Sequence, residues 1–312
     1  MTPKTSTPVH SIAAWFQLLR PQQWIKNLFV FAPVFFGAYA CDLEQLTRSA
    51  IGFVCFCFVA SSVYCLNDWV DRHKDRKHPT KCHRPIASGL ISPRVATLST
   101  LLLFLCALGI AWLCRHHLSQ AISFGSILIL YWVINWLYCF WLKKIALVDV
   151  FVVAFGFILR IHIGAAATGI EPSEWLLLMT LLLTLFLTLA KRRDDILLLE
   201  QTGQEMRSNL NGYNRLFLDQ VLSILAGTLL ICYILYTFSS GVKERLGQDA
   251  HLYYTVLPVL FGLLRYLQLT LVYNQSGSPT KIAYTDRITQ VCVLVWLLSF
   301  AYILYIRPVL PF

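Results

Sequence analysis

Charged side chains are scarce in this sequence: Asp, Glu, Lys and Arg make up 13% of its 312 residues, against about a quarter in soluble domains. Acids are the rarer sign, 16 against 26 basic residues, and methionine occurs three times. With 57% hydrophobic residues and a mean hydropathy of +0.62, this excludes a soluble globular chain and leaves the membrane class. Each crossing takes roughly 20 apolar residues, so the length holds about nine spans, short connections and no sizeable soluble domain. Paired cysteines are missing too. The ten cysteines lie mostly inside apolar runs, as Cys55, Cys57, Cys65, Cys106, Cys139, Cys232 and Cys292 do, and without CxxC spacing they argue against a disulfide framework or a zinc site. There is no P-loop, Rossmann glycine fingerprint or Ser/His/Asp arrangement. The residues before the first apolar run show no small-residue cleavage pattern, so no signal peptide is expected.

What is present is a series of apolar runs near 25–40, 49–66, 95–114, 121–142, 146–169, 174–190, 216–239, 252–274 and 288–307. Their length and near-continuous Leu, Ile, Val and Phe content suit helices and not barrel strands. The expected fold is therefore all-α, a single polytopic membrane domain over residues 1–312. A formal charge of +10 would suggest nucleic acid in a soluble protein, but here the cations sit between spans, where topology demands them; no nucleic-acid partner is expected. Nineteen of the 26 lie in the N-terminal segment and in the connections after spans 2, 4, 6 and 8, against five on the opposite side. The positive-inside rule then puts the N-terminus in the cytoplasm and, with an odd number of spans, the C-terminus outside.

Two cytoplasmic connections, 67–94 and 191–215, concentrate the polar chemistry. The first begins Asn67-Asp68-Trp69-Val70-Asp71, followed by Asp75 and Arg76. Continued as a helix, it places Asn67, Asp71 and Asp75 on one face at i, i+4 and i+8. Oxygen ligands one turn apart suit Mg²⁺, which takes one or two carboxylates together with phosphate oxygens, and a metal there neutralises charge on a departing diphosphate. The bland reading of the same acids is a solvated, salt-bridged helix end beside Arg72, Lys74 and Arg76. Past the helix breakers Pro79, Pro85 and Gly89, Lys81 and Arg84 come from a constrained loop that can clamp phosphate oxygens, or they are ordinary inside-loop charge. The second connection begins Lys191-Arg192-Arg193-Asp194-Asp195; the cations also satisfy the positive-inside rule by themselves, and the acids beside them are either their partners or additional metal ligands.

Near the N-terminus, Lys26 and Asn27 are costly at the start of a lipid-buried run unless they face a polar cavity or the interface. Snorkelling beside Trp24 is the alternative. Lys143 and Lys144, between spans 4 and 5, are equally ambiguous. Arg160 and Arg265 fall several residues inside apolar runs. A charge at that depth costs at least about 2.5 kcal/mol, which points each toward a polar interior, and Asp149 is expected to pair with a neighbouring cation.

The pattern Asn67-Asp68-x-x-Asp71-x-x-x-Asp75, on the cytoplasmic end of the second span, resembles the first aspartate-rich motif of the UbiA prenyltransferase superfamily. Arg20-Pro21-x-Gln23-Trp24-x-Lys26-Asn27, then Asp75-Arg76-x-His78-Pro79-x-Lys81-x-x-Arg84-Pro85-Ile86-Ala87-Ser88-Gly89, then Lys191-Arg192-Arg193-Asp194, is similar to its polyprenyl-phosphate (decaprenyl-phosphate) phosphoribosyltransferase branch. The resemblance implies a UbiA-like helical bundle with a central cavity open to the cytoplasmic face of a bacterial inner membrane. It implies transfer of phosphoribose from phosphoribosyl diphosphate to a polyprenyl phosphate, with Mg²⁺ as cofactor, for cell-envelope synthesis. Asn67, Asp71 and Asp75 would then hold the metal and act as the catalytic set, with Asp68 contributing. Lys26, Tyr64 and Arg76 would line the donor pocket, and Lys81, Arg84 and Lys191 to Arg193 would hold phosphates of donor or acceptor. Asn27, Lys143, Lys144, Arg160 and Asp194 complete the candidate substrate-binding set. The C-terminal third, around Arg265-Tyr266 and from Ser278-Pro279-Thr280-Lys281 to Asp286-Arg287, matches less tightly.

Where the parent family shows a second acidic motif, this chain has a cationic run, which suits an anionic acceptor arriving without its own metal. A phosphate monoester is a nucleophile at neutral pH, so no strong general base is required. The competing readings are an aromatic prenyltransferase using a prenyl diphosphate, and a lipid carrier or transporter, which predicts internal repeats that are not evident. The sequence leaves the oligomeric state and the length of the lipid open.

Overall fold

The computed structural model describes residues 12–76, 81–202, 209–246, 251–275, 282 and 284–307. His78 and Pro79 of the first motif, and Ser278 to Lys281, lie outside the described residues. The described chain is helical: α1 (Ile12–Leu19), a 3₁₀ helix (Pro21–Phe31), α2 (Ala32–Phe36), α3 (Leu43–Asp75), α4 (Pro93–Leu113), α5 (Ala121–Phe140), α6 (Val148–Thr168), α7 (Glu174–Thr202), α8 (Arg215–Phe238), α9 (Ser240–Leu246), α10 (Val256–Leu271) and α11 (Arg287–Ala301). Among the described residues eight helices, of 20 to 33 residues, are long and apolar enough to cross a bilayer. The protein is an integral membrane protein.

Local chemistry sets the helix starts. The Asp42 carboxylate accepts from the Glu44 and Gln45 N–H groups ahead of α3, at 2.9 and 3.2 Å. Ser92 caps α4 ahead of Pro93, and Asn214 and Asp286 cap α8 and α11. Each satisfies donors that the first turn leaves without partners. Two helices outrun the expected spans. α3 continues through the acidic motif to Asp75, and α7 carries residues 191–202 as helix where a connecting loop was expected. The first expected span, 25–40, is not one of the eight helices. It is built as the 3₁₀ helix running into the five-residue α2, with Pro33 lacking the N–H that a continuous α-helix would need there.

The chain forms two compact units, Met1–Lys143 with Leu159–Pro172, and Lys144–Ile158 with Ser173–Phe312. In the first unit α3 is the central helix, packing on α1, the 3₁₀ helix, α4 and α5, with 67% of its apolar window buried. Phe56, Phe124, Leu128 and Ile163 fill that core. The 3₁₀ helix approaches α6 so closely that a methyl group at Gly164 would stand 1.9 Å from the Val30 carbonyl oxygen. In the second unit α7 packs on α8, and α10 on α8 and α11, around Phe186, Leu218, Leu222 and Tyr266. Leu98, Leu101, Leu105, Ile224, Ile231, Leu294 and Leu298 are exposed, an apolar outer surface suited to lipid.

Candidate functional site

The first unit gathers its polar chemistry at the C-terminal end of α3. Asn67, Asp71 and Asp75 share one stripe, as their spacing predicts. Asp68, one position along, is 1% exposed and stands at the centre of an ion chain. Arg20 Nη2 donates to Asp68 Oδ1 at 2.5 Å, and Arg84 Nη1 donates both to that oxygen at 3.0 Å and to Asp75 Oδ2 at 2.7 Å. The other oxygen of Asp68 is buried without a hydrogen-bond partner among the described residues. Arg20 has left-handed backbone, φ 53°, where the chain turns from α1 into the 3₁₀ helix, and its guanidinium lies 5.3 Å from the Tyr64 ring centroid. The Arg84 loop is tied back to α3 by Arg76, whose Nε donates to the Ala87 carbonyl at 3.0 Å.

Asp71 is partly exposed, and Lys143 Nζ, from the turn after α5, donates to its Oδ1 at 2.5 Å. Lys143 is therefore part of the acidic stripe's surroundings and not merely inside-loop charge. One turn earlier, Asn67 Oδ1 accepts from the Cys139 thiol at 3.7 Å, a weak contact. Deeper in the same unit, buried Arg160 donates from Nε to Asn27 Oδ1 at 2.9 Å and from Nη2 to the Tyr131 hydroxyl at 3.2 Å. It also lies over Phe56 and Tyr131, 4.8 and 5.3 Å from their centroids. Asn27 in turn donates its amide to Cys57 Sγ at 3.2 Å. The intramembrane cation faces a polar interior, as its cost in lipid requires.

In the second unit the Lys191–Arg193 run does not form one basic surface. Arg192 is turned inward onto Asp149, its Nε at 2.8 Å and Nη2 at 2.7 Å from Oδ2, with a longer contact to Asp195 at 3.4 Å. Arg193, 0% exposed, donates to Asp219 Oδ1 at 2.5 Å, to the Thr270 carbonyl at 2.7 Å and to Asn274 Oδ1 at 2.9 Å. Both guanidinium groups are thus paired with carboxylates inside the protein, Arg193 Nη2 alone being buried without a hydrogen-bond partner among the described residues. Lys191 and Lys144 are exposed, and Asp194 is half-buried. The other Asp149 oxygen accepts from the Tyr213 hydroxyl at 2.8 Å, and that hydroxyl accepts from the Leu147 N–H at 2.7 Å. Burial pushes the Tyr213 hydroxyl up to about 12; the Leu147 N–H opposes the shift and Asp149 reinforces it.

The expected residues thus divide. Asn67, Tyr64, Asp68, Asp71, Asp75, Arg84 and Lys143 come together in the first unit, with Lys81 in the short turn leading to Arg84 and Lys26 beside Asn27 in the 3₁₀ helix. Arg20 belongs with them through Asp68, and its place in the Arg20-Pro21 motif was the signal. Tyr213, Asp219 and Asn274 carried no signal, because each is recognised only through a partner distant in sequence. The Asn67–Asp71 oxygen pair fits a hard cation by donor chemistry; Asp71, paired with Lys143, is partly exposed, whereas Asp75, paired with Arg84, is buried. Among the described residues no group of three or more His, Cys, Asp or Glu side chains converges, so such a cation would complete its shell with substrate or water oxygens.

The model of the UbiA prenyltransferase family matches residues 30–285. The chain belongs to that family. A decaprenyl-phosphate phosphoribosyltransferase of Corynebacterium glutamicum is 33% identical over 309 residues, 98% of this chain and 91% of that protein. One from Mycolicibacterium smegmatis is 33% identical over 305 residues, 95% and 93% of the two chains. Among solved structures, a UbiA homolog from Archaeoglobus fulgidus bound to DMAPP and Mg²⁺ superposes with a TM-score of 0.66, covering 95% of this chain and 99% of its own at 18% identity. That likeness establishes the UbiA fold.

Proposed function

We propose that this protein transfers 5-phosphoribose from phosphoribosyl diphosphate to a polyprenyl phosphate at the cytoplasmic face of its membrane, releasing diphosphate. The observation that carries the reading is the similarity to decaprenyl-phosphate phosphoribosyltransferases over 98% of the chain, together with an acidic stripe met by cations from Lys143 and Arg84. A lipid phosphate oxygen forms a bond to the anomeric carbon of ribose while the bond to diphosphate breaks, the electron pair leaving with the diphosphate. Direct attack inverts that carbon. Asn67 and Asp71 would hold Mg²⁺, which when bound supplies positive charge against the leaving group. Lys143 and Lys81 present ammonium groups to phosphate oxygens, and Arg84 a planar fork. Asp68 holds Arg84 and Arg20 in place, so the cations are oriented before substrate arrives, the condition under which electrostatics lowers a barrier.

The purified protein in detergent, given Mg²⁺, phosphoribosyl diphosphate and a polyprenyl phosphate, is expected to form lipid-linked phosphoribose, detected by mass spectrometry. Asp71→Asn is expected to lower kcat by about 100-fold or more, the order found when one transition-state charge contact is removed. Absence of product across several lipid lengths, with turnover of a prenyl diphosphate and an aromatic acceptor, would assign the protein to the aromatic prenyltransferases instead.

A further inference from the structure

Arg192 and Arg193 are consecutive on α7, so their side chains leave the helix about 100° apart. Each is held by a different neighbour. Arg192 meets Asp149 at the start of α6, and Arg193 meets Asp219 on α8 with Thr270 and Asn274 at the end of α10. Two anchors at different azimuths hold the rotation of a helix about its axis more tightly than one. With that rotation fixed, Lys191 and Asp194 fall on the opposite face, within an arc of about 60°, while Asp195 stays beside Arg192. The exposure of Lys191 beside fully buried Arg192 and Arg193 agrees with this division.

The lock is completed from a third segment. Tyr213 reaches Asp149 and the Leu147 N–H with one hydroxyl. Gly212 allows the approach, because a methyl group there would stand 2.4 Å from the Ala146 side chain. Buried ion pairs generally stabilise less than well-packed apolar side chains of the same volume, so stability alone does not explain this arrangement, whereas a need for defined geometry does.

We infer that Tyr213, Asp149 and Arg192 act as positioning residues that set the rotation of α7 and so aim Lys191 at a phosphate group of a substrate. Lys191 is the residue of the run that touches that phosphate. This rests on the reading of the substrates given above.

Two measurements test it. In steady-state kinetics Tyr213→Phe is expected to raise the KM of one phosphate-bearing substrate about fivefold with kcat nearly unchanged, the pattern of lost binding and intact chemistry, and to lower the unfolding temperature, because the buried Asp149 oxygen loses that donor. Lys191→Met should raise the same KM, and the double variant should be no worse than Lys191→Met alone, because Tyr213 acts through Lys191. Independently of turnover, Lys191→Cys labelled with a charged maleimide and read at that residue by mass spectrometry should react at a rate changed about twofold or more by adding Tyr213→Phe, if the exposure of position 191 depends on α7 rotation. Additive effects in the kinetic cycle, or a labelling rate that does not change, would overturn the proposal. A wild-type protein that transfers no phosphoribose would sink the substrate reading, while the labelling still decides whether Tyr213 sets the rotation.

Discussion

Asp286 shows how much one carboxylate can organise. It caps α11 by accepting from the Thr289 N–H at 2.8 Å, and it receives Arg265 Nη2 at 2.8 Å. The Arg265 guanidinium holds its carboxyl down at about 2, with the Thr289 donors assisting. The folded state therefore binds this proton less readily than the unfolded chain. The stabilisation is complete above the ordinary carboxylate range and is lost as pH falls from about 4 toward about 2. Asp286→Asn should unfold at a lower temperature than the wild type at neutral pH, and the gap should narrow on acidification in that window, measured by thermal unfolding in detergent. Arg265 was legible as a cation inside an apolar run, but its partner 21 residues away was not. The same limit applies to the second motif: the sequence shows a cationic run with acids beside it, whereas the carboxylates that take up Arg192 and Arg193 lie 43 and 26 positions away. The acidic stripe could be read because its geometry is local, set by one helical repeat.

Among the elements, the close approach of the 3₁₀ helix to α6 makes the sharpest demand. Gly164→Ala forces a methyl group onto the Val30 carbonyl, backbone that cannot rotate aside, and should cost at least about 1–3 kcal/mol, the range for overpacking. Gly125, inside α5 with open space around it, should accept Ala and gain up to about 1 kcal/mol of helix propensity. Denaturant or thermal unfolding of the two variants checks the contrast. Helix existence and most boundaries were legible, since apolar runs of this length have few alternatives in a membrane. What misled was the end of α7. The apolar run stops at Ala190, but a helix continues past its hydrophobic window wherever inward partners exist, and Arg192 and Arg193 have them. The first expected span is wound as a 3₁₀ helix and a short α-helix, a distinction hydropathy does not carry, because it reports burial and not how the backbone winds.

For the whole molecule, the number of crossings fixes whether the two termini share a side of the membrane. Eight helices meet the requirements of a crossing among the described residues. The 3₁₀ helix with α2 comprises 11 and five residues, which at about 2.0 and 1.5 Å per residue reaches roughly 30 Å, the thickness of the hydrocarbon core. A ninth crossing by this segment puts the two termini on opposite sides. With the N-terminus inside, as the positive-inside rule expects, alkaline phosphatase fused after Phe312 should be active in a bacterial host, and a fluorescent protein that folds only in the cytoplasm should be dark; the reverse result would mean an even number of crossings or an N-terminus outside.

One dimension of α3 reaches further. Its 33 residues make about 50 Å of helix, well beyond the roughly 30 Å of hydrocarbon. The apolar stretch closes at Leu66, and Asp71 follows five residues later, about 7 Å along the axis, within the headgroup layer. A lipid phosphate already lives at that depth. The search for such a partner is then a two-dimensional one, governed by its mole fraction in the bilayer, so that diluting the membrane with inert lipid slows the encounter even when the amount per millilitre stays the same.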